Sequence, residues 1–523
     1  MALLTLVFAV FAYIASVLAI TVTTSDDSYT VDTESSNAFT VTISRSSCDI
    51  TTGSHIASGL GSATVSYETS GDHVIVQCVA SSSDFDLTHY MVFEDASSAI
   101  YMGTYTNSEP AFGELRFIFR LTGLTEAYPF GDVSDTADGS AVEGSDVYLV
   151  GSETRSKFYS SERFIDDDVY CATDSGATIH ACWLRPNSQA TEKSSGGPFF
   201  RDIDLNWGGS YHSVTYYMNS NHAQTEAYRQ GFHRPFVFSF SRSGIPASSD
   251  FDVSLFDDLG LLGYVGSSER GYVAGTASGV SSDFPIVLHW HNDDYQAWVY
   301  AASSGTFTSP ALAAGSYTMA LYQDEFLAAT ATVTVSATET TTANIEATNT
   351  ILTDSHTTVF RLGDYDGRPT GFLNAENQLR MHPSDSRMSD WAPGTVASTD
   401  TAAFPMAIFK SVNDGQKISF TLGSDISSEA TIRLATTLAF ASGRPQATVN
   451  SYACDTPGAP TKIDSRGVTR GAYRGLGEVY DCTVPSGTLV SGENTVTINV
   501  ISGSGGDEFL SPNVIFDAIE LFY

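Results

Sequence analysis

The stretch FVFSFS, residues 236–241, decides the fold class. Phe236, Phe238 and Phe240 alternate with Val237, Ser239 and Ser241, so in an extended chain the three rings share one face. A helix would scatter them around its surface. Runs of the same kind recur along the chain: AFTVTIS (38–44), HVIVQCVA (73–80), LRFIFRL (115–121), GSYTMALY (315–322), ATVTVSA (331–337) and NTVTINVI (494–501). Each is rich in β-branched or aromatic residues and is bounded by turn formers. Helix signals are scarce, and the reading is an all-β protein built from sandwiches.

A chain of 523 residues exceeds what one core usually fills. Residues 1–19, MALLTLVFAVFAYIASVLA, read as a signal peptide cut near Ala19/Ile20, with small residues at the exit. A membrane anchor is the rival reading, and the polar Thr5 and Ser16 favour secretion. Residues 20–262 form a large first domain. Residues 263–349 form a compact second one, ending in the Thr/Ala-rich segment 336–350. Residues 350–523 form a third, closing on NVIFDAIELFY (513–523), a suitable core strand for a jelly roll.

Secretion accounts for the six cysteines, which fall into local pairs: Cys48 with Cys78, Cys171 with Cys182, and Cys454 with Cys482. Spacing alone leaves the connectivity open. The net charge of −35 and pI near 4.4 argue against nucleic acid or an anionic membrane as partner. A polyanionic substrate would have to be met by local cations.

Such a concentration exists in GSETRSKFYSSERF (151–164), where Arg155, Lys157 and Arg163 fall within nine positions and Lys157 is the first of only five lysines. The chain contains no G-x-S-x-G, no P-loop and no H-E-x-x-H. HWHND (289–293) puts His289 and His291 on one strand face as a weak metal candidate, and GDYDGRPTG (363–371) and GSGGDEFLSPN (503–513) could offer oxygens to a structural calcium. For these last two, ordinary turns are the favoured reading. In HSVTYYMNSNHAQTEAYRQGF (212–232) a strand bearing Tyr216 and Tyr217 runs into a turn that presents His222.

Cations, a lysine and a histidine suit one reaction, β-elimination from a 4-linked uronate polymer. The C5 carboxylate must be neutralised, a base must take the C5 proton, and an acid must protonate the departing O4. Arginine suits the first task, a lysine crowded by cations the second, and histidine the third.

Several long motifs carry a family resemblance: GELRFIFRL (113–121), the run 129–167 around SETRSKFYSS, SSGGPFFRDI (194–203), YYMNSNHAQTEAYRQG (216–231) and DSRGVTRGAYRGLGEVYD (464–481). They resemble the fungal rhamnogalacturonan lyases of polysaccharide lyase family 4, over essentially the whole chain after residue 19. The resemblance implies a catalytic β-sandwich, a fibronectin type III-like domain and a carbohydrate-binding-module-like jelly roll. It implies cleavage of rhamnogalacturonan I, the pectin backbone, by a secreted monomer that needs no cofactor for catalysis. By motif, Lys157 is implied as base and His222 as acid, with exchange of these roles left open. Arg116, and Arg470 from the third domain, are implied to hold the galacturonate carboxylate. Tyr217 matches a tyrosine ahead of the histidine, and Thr215 stands where a second one is expected, which either weakens an aromatic sugar platform there or shifts it to Tyr216. In CDITTGSHIASGL (48–60) a longer family segment is missing, and Cys454 with Cys482 is an addition to the family pattern. A non-catalytic pectin-binding protein and a hydrolase on the same polymer are the alternatives.

Overall fold

The computed structural model describes residues 20–523 apart from 38, 52, 83–84, 109–113, 131–135, 137, 187, 221, 223–225, 376–381, 383, 462–466, 471–476 and 503–510, and apart from the side chains of Ser188, Gln189 and Arg470. The signal-peptide reading of residues 1–19, and most of the candidate calcium loop 503–513, lie outside the described residues.

The chain is nearly all β. In the first part, an eight-stranded antiparallel sheet runs in the order Glu126–Tyr128, Val169–Thr173, His180–Leu184, Gly231–Ser241, Ala99–Ser108, Asp86–Glu94, His73–Ser81 and Thr64–Ser70. A four-stranded sheet of Leu205–Trp207, His212–Asn219, Leu115–Leu121 and His55–Ile56 packs on it. Aromatic rings make the contact. Phe119 stacks on Phe238 at 3.7 Å, and Tyr216 stacks on Phe236 at 4.2 Å. The alternation of phenylalanines thus points into the sandwich, but the opposite face of that strand is covered as well. Val237 is fully buried under Val253, Phe256 and Leu261, which close over the outer side of the large sheet. Pro235 cannot donate to the ladder, and the register with Ala99–Ser108 shifts between His233 and Phe236.

The short segment after Cys48 makes a tight turn in which Ile50 bridges both Ile43 and Ser54, and then His55–Ile56 forms the edge of the smaller sheet. Beside it a cavity of about 550 Å³ opens between the sheets, lined by Phe39, Val41, Ile50, Ile100, Phe119 and Phe240 among others. The disulfides join Cys48 to Cys78, Cys171 to Cys182 and Cys454 to Cys482. Cys171 and Cys182 lie directly opposite each other on neighbouring strands.

The second part is a small sandwich whose four-stranded sheet orders Gln296–Tyr300, Ile286–His291, Gly315–Gln323 and Phe326–Val335. The third part packs two five-stranded sheets around one core. Its final strand, Asn513–Phe522, sits centrally and pairs with Thr358–Gly363, Ala430–Phe440 and Ala407–Phe409.

The parts are locked together by polar contacts. Arg163 and Arg201 of the first reach Asp324 and Glu325 of the second, and Arg368 of the third also reaches Asp324. Glu192 of the first holds Arg270 of the second through two hydrogen bonds of 2.8 and 2.9 Å. The third part grips the first at the strand Glu153–Ser156. There Asp385 accepts from the Thr154 amide and hydroxyl, and Ser156 Oγ donates to the Thr469 carbonyl at 3.0 Å.

Candidate active site

Lys157 opens a single 3-10 turn, Lys157–Ser160, at the end of that gripped strand. Ser156 caps the turn by accepting from the Phe158 amide, and the Lys157 amide donates to the Asp146 carbonyl at 2.9 Å. The lysine Nζ lies 5.8 Å from the centre of the Tyr148 ring. Phe158, next in the chain, is buried and packs edge-on against the His222 ring at 5.5 Å. The lysine turn and the histidine therefore belong to one site.

His222 follows the strand His212–Asn219. Its Nδ1 is 2.8 Å from Oδ1 of Asp202, a fully buried carboxylate. Burial pushes the Asp202 pKa up, but the charge of His222 and hydrogen bonds from His222, Ser220 and the Ile203 amide outweigh it, and the carboxyl sits below its ordinary value. An ionised Asp202 only accepts, so Nδ1 carries the proton and Nε2 is turned the other way. Nε2 lies 3.7 Å from Glu114 and 3.8 Å from Asp146. Three carboxylates thus surround the imidazole.

Arg116 stands opposite Tyr217 on neighbouring strands. Its Nη1 donates to the Tyr217 hydroxyl at 3.4 Å and pairs with Glu114 at 2.6 Å. Tyr217 itself is almost wholly buried. It packs with Phe164, Phe200 and Trp298, the last from the second part of the chain, and its ring approaches His222 at 6.4 Å. It supports the site as a back wall. Tyr216 does not belong there: successive strand residues point to opposite faces, and this one is fully buried, donating to the Ala190 carbonyl and stacking on Phe236 in the sandwich core. The expectation that Tyr216 offers a sugar platform is corrected accordingly.

A second correction concerns Arg163. It is buried among Asp166, Asp324, Glu325 and the Tyr300 hydroxyl, so it cements two domains and does not crowd Lys157. Arg155 is exposed on the Glu153–Ser156 strand. The side chain of Arg470 lies outside the described residues, but its backbone ends the turn Gly467–Arg470, one residue beyond the Thr469 carbonyl that Ser156 grips. His289 and His291 stack at 4.7 Å. Burial, then the charge of His291, holds the buried His289 far below its ordinary pKa, and its Nε2 faces Gln296. In the loop 363–371, the Asp366 and Gly367 amides donate to Asp517.

Sequence reading missed Asp202, Glu114 and Asp146. Glu114 and Asp202 sit inside the quoted motifs GELRF and SSGGPFFRDI, yet nothing distinguishes them in sequence from the other acids among 60.

The geometry has relatives. The description "Rhamnogalacturonan lyase B, N-terminal" matches residues 20–263, "Polysaccharide lyase family 4, domain II" matches 269–343, and "Polysaccharide lyase family 4, domain III" matches 358–521. Rhamnogalacturonate lyase A of Aspergillus aculeatus is 56% identical over 518 residues, which cover 96% of each chain. Rhamnogalacturonate lyase A of Emericella nidulans is 55% identical over 517 residues, covering 96% of this chain and 95% of the relative. A putative rhamnogalacturonase of Neurospora crassa is 53% identical over 523 residues, covering 96% and 95%. Among solved structures, a galactose mutarotase related enzyme from Lactobacillus acidophilus covers 43% of this chain and 99% of its own at 7% identity, with a TM-score of 0.21, too slight a likeness to carry an argument. Fold, site and relatives together define a three-part, all-β polysaccharide lyase. Within that class, the chain belongs to polysaccharide lyase family 4.

Proposed function

We propose that the chain is a secreted, monomeric rhamnogalacturonan endolyase, cleaving the rhamnose-(1→4)-galacturonate bond of rhamnogalacturonan I by β-elimination. The observation that carries this reading is His222, fixed through Nδ1 by buried Asp202 at 2.8 Å, packed on Phe158 of the lysine turn and facing the Glu114 that pairs with Arg116. Arg116 takes the galacturonate carboxylate, joined by Arg470 from the third part. Charge neutralisation makes the C5 proton acidic. Lys157 Nζ removes that proton, the C5–H electrons form the C4=C5 double bond, and the C4–O4 bond breaks. His222 Nε2 gives its proton to O4, which leaves with the rhamnose-bearing fragment. The other fragment carries an unsaturated galacturonate at its non-reducing end. Lys157 then loses a proton to solvent and His222 regains one. No step requires a cofactor. Asp202 acts as a positioning residue that fixes the imidazole and stabilises its charge. The three disulfides support an oxidising, extracellular setting.

The test is ultraviolet absorbance of the conjugated enoate during digestion of rhamnogalacturonan I, with homogalacturonan in parallel. A rise with rhamnogalacturonan alone is expected. New reducing ends without absorbance would mean hydrolysis and would overturn the elimination.

A further inference from the structure

In the unliganded site, one side chain already touches both points that the substrate must reach. Glu114 puts Oε2 2.6 Å from Arg116 Nη1 and Oε1 3.7 Å from His222 Nε2. In galacturonate, the carboxylate on C5 and the leaving oxygen on C4 stand on adjacent carbons, and the reaction needs the first on Arg116 and the second on His222. Glu114 spans the same pair of partners with the two oxygens of a single carboxylate. Its side chain is 21% exposed and that of Arg116 22%, so this ion pair lies at the open side of the site, unlike the sealed pair at Arg163.

We infer that Glu114 is a specificity-determining residue: in the free enzyme its carboxylate fills the seat of the galacturonate carboxylate, and substrate must displace it. The inference rests on the proposed role of Arg116. Asp146 and Asp202 also face His222, at 3.8 and 2.8 Å, so a uronate entering beside an unmoved Glu114 would add one more negative charge to an already acidic pocket. Exchange of one carboxylate for another on Arg116 removes that repulsion. An ion pair open to solvent on one side can be exchanged by a ligand that brings binding energy of its own. A long polymer brings it from neighbouring sugars, and a free uronic acid does not. The seat is thereby closed to stray carboxylates and open to the chain.

The test compares the native enzyme with Glu114→Gln, using free galacturonate as competitive inhibitor and rhamnogalacturonan I as substrate. Glutamine keeps the shape and removes the charge. The expected result is tighter inhibition by galacturonate, with Ki at least about fivefold lower, and a lower KM for the polymer. If Glu114 only propped Arg116 in place, Glu114→Gln would raise both constants, and that result overturns the inference. Unchanged constants overturn it too. Arg116→Ala separates the two layers of the argument. If it leaves KM and Ki unaltered, the reading of Arg116 fails and takes the inference with it. If it raises KM while Glu114→Gln leaves Ki unmoved, only the inference falls.

Discussion

Arg116 and Arg163 are both arginines facing more than one polar partner, and the molecule uses them for opposite ends. Arg163 is sealed: its side chain is 9% exposed, and those of Asp324 and Glu325 are 5% and 0%. It pairs with Asp324 at 2.5 Å and with Asp166 at 2.6 Å, while Arg201 reaches Glu325 at 2.7 Å. Burial works against the Arg163 charge, but Glu325 and Asp324 outweigh it and raise its pKa. Arg116 has Glu114, also at 2.6 Å, but both partners are open to solvent on one side. A charge matched from all sides has nothing left to offer a ligand. A charge matched from one side by a displaceable partner has an open face for substrate. The position of the partners, not the residue type, separates cement from site.

Substitution should pull the two apart. Arg163→Ala takes from buried Asp324 its nearest counter-charge and leaves Glu325 with Arg201, and the expected loss is about 3–5 kcal/mol of stability, read as a large fall in the thermal midpoint. Turnover per folded molecule should survive. Arg116→Ala should do the reverse, leaving the midpoint nearly unmoved while kcat/KM on rhamnogalacturonan falls on the order of 10²- to 10³-fold. If Arg116→Ala unfolds the protein and Arg163→Ala disables only the chemistry, the comparison is inverted and the site is misassigned.

A smaller effect sharpens the same contrast within the site. Asp202→Asn keeps the shape but loses the charge that holds Nδ1–H, so kcat should fall roughly 10²-fold or more. The pH–rate profile should also shift. A purely structural Asp202 would lower the amount of folded enzyme and leave the profile in place.

The smallest expected effect is on stability against pH. Burial pushes Asp366 up to about 6 and raises Asp517 and Asp204 well above the ordinary carboxyl value. A carboxyl with a raised folded pKa stabilises most below its unfolded pKa, and that contribution is lost as pH rises through the folded value. Asp202, Asp385 and Glu520 are shifted down, so their contribution is lost only as pH falls through their lowered values. Buried His89, His233 and His289, held below their ordinary pKa, work the other way, their contribution being lost as pH falls. The carboxyl effect is read on a variant: relative to the native protein, Asp366→Asn should gain more thermal midpoint at pH 7.5 than at pH 5, by about a few degrees. An equal difference at both pH values would contradict it.

The sequence made some of this legible and hid the rest for physical reasons. The alternation at 236–241 announced a strand with one aromatic face, because side-chain parity is local. That Val237 is equally buried depends on residues 253–261 folding back over the sheet, which no local pattern records. Lys157, His222 and Arg116 were marked by long motifs. Arg163 was drawn into the same group by closeness in sequence to Lys157, whereas its partners Asp324 and Glu325 lie more than 160 positions away. Tyr216 and Tyr217 had to face opposite ways, but which faced the core was decided by Phe236 on the other sheet. Asp202 was invisible because a buried carboxylate looks like any other until its histidine is beside it.

The most direct test of the account is the combined turnover and oligosaccharide binding of Lys157→Ala. The account predicts that enoate formation from rhamnogalacturonan I is lost by on the order of 10³-fold or more, while binding of rhamnogalacturonan oligosaccharides by calorimetry stays within about threefold of the native value. Near-native enoate formation by that variant would contradict the assignment of Lys157 as the base, and with it the proposed elimination scheme.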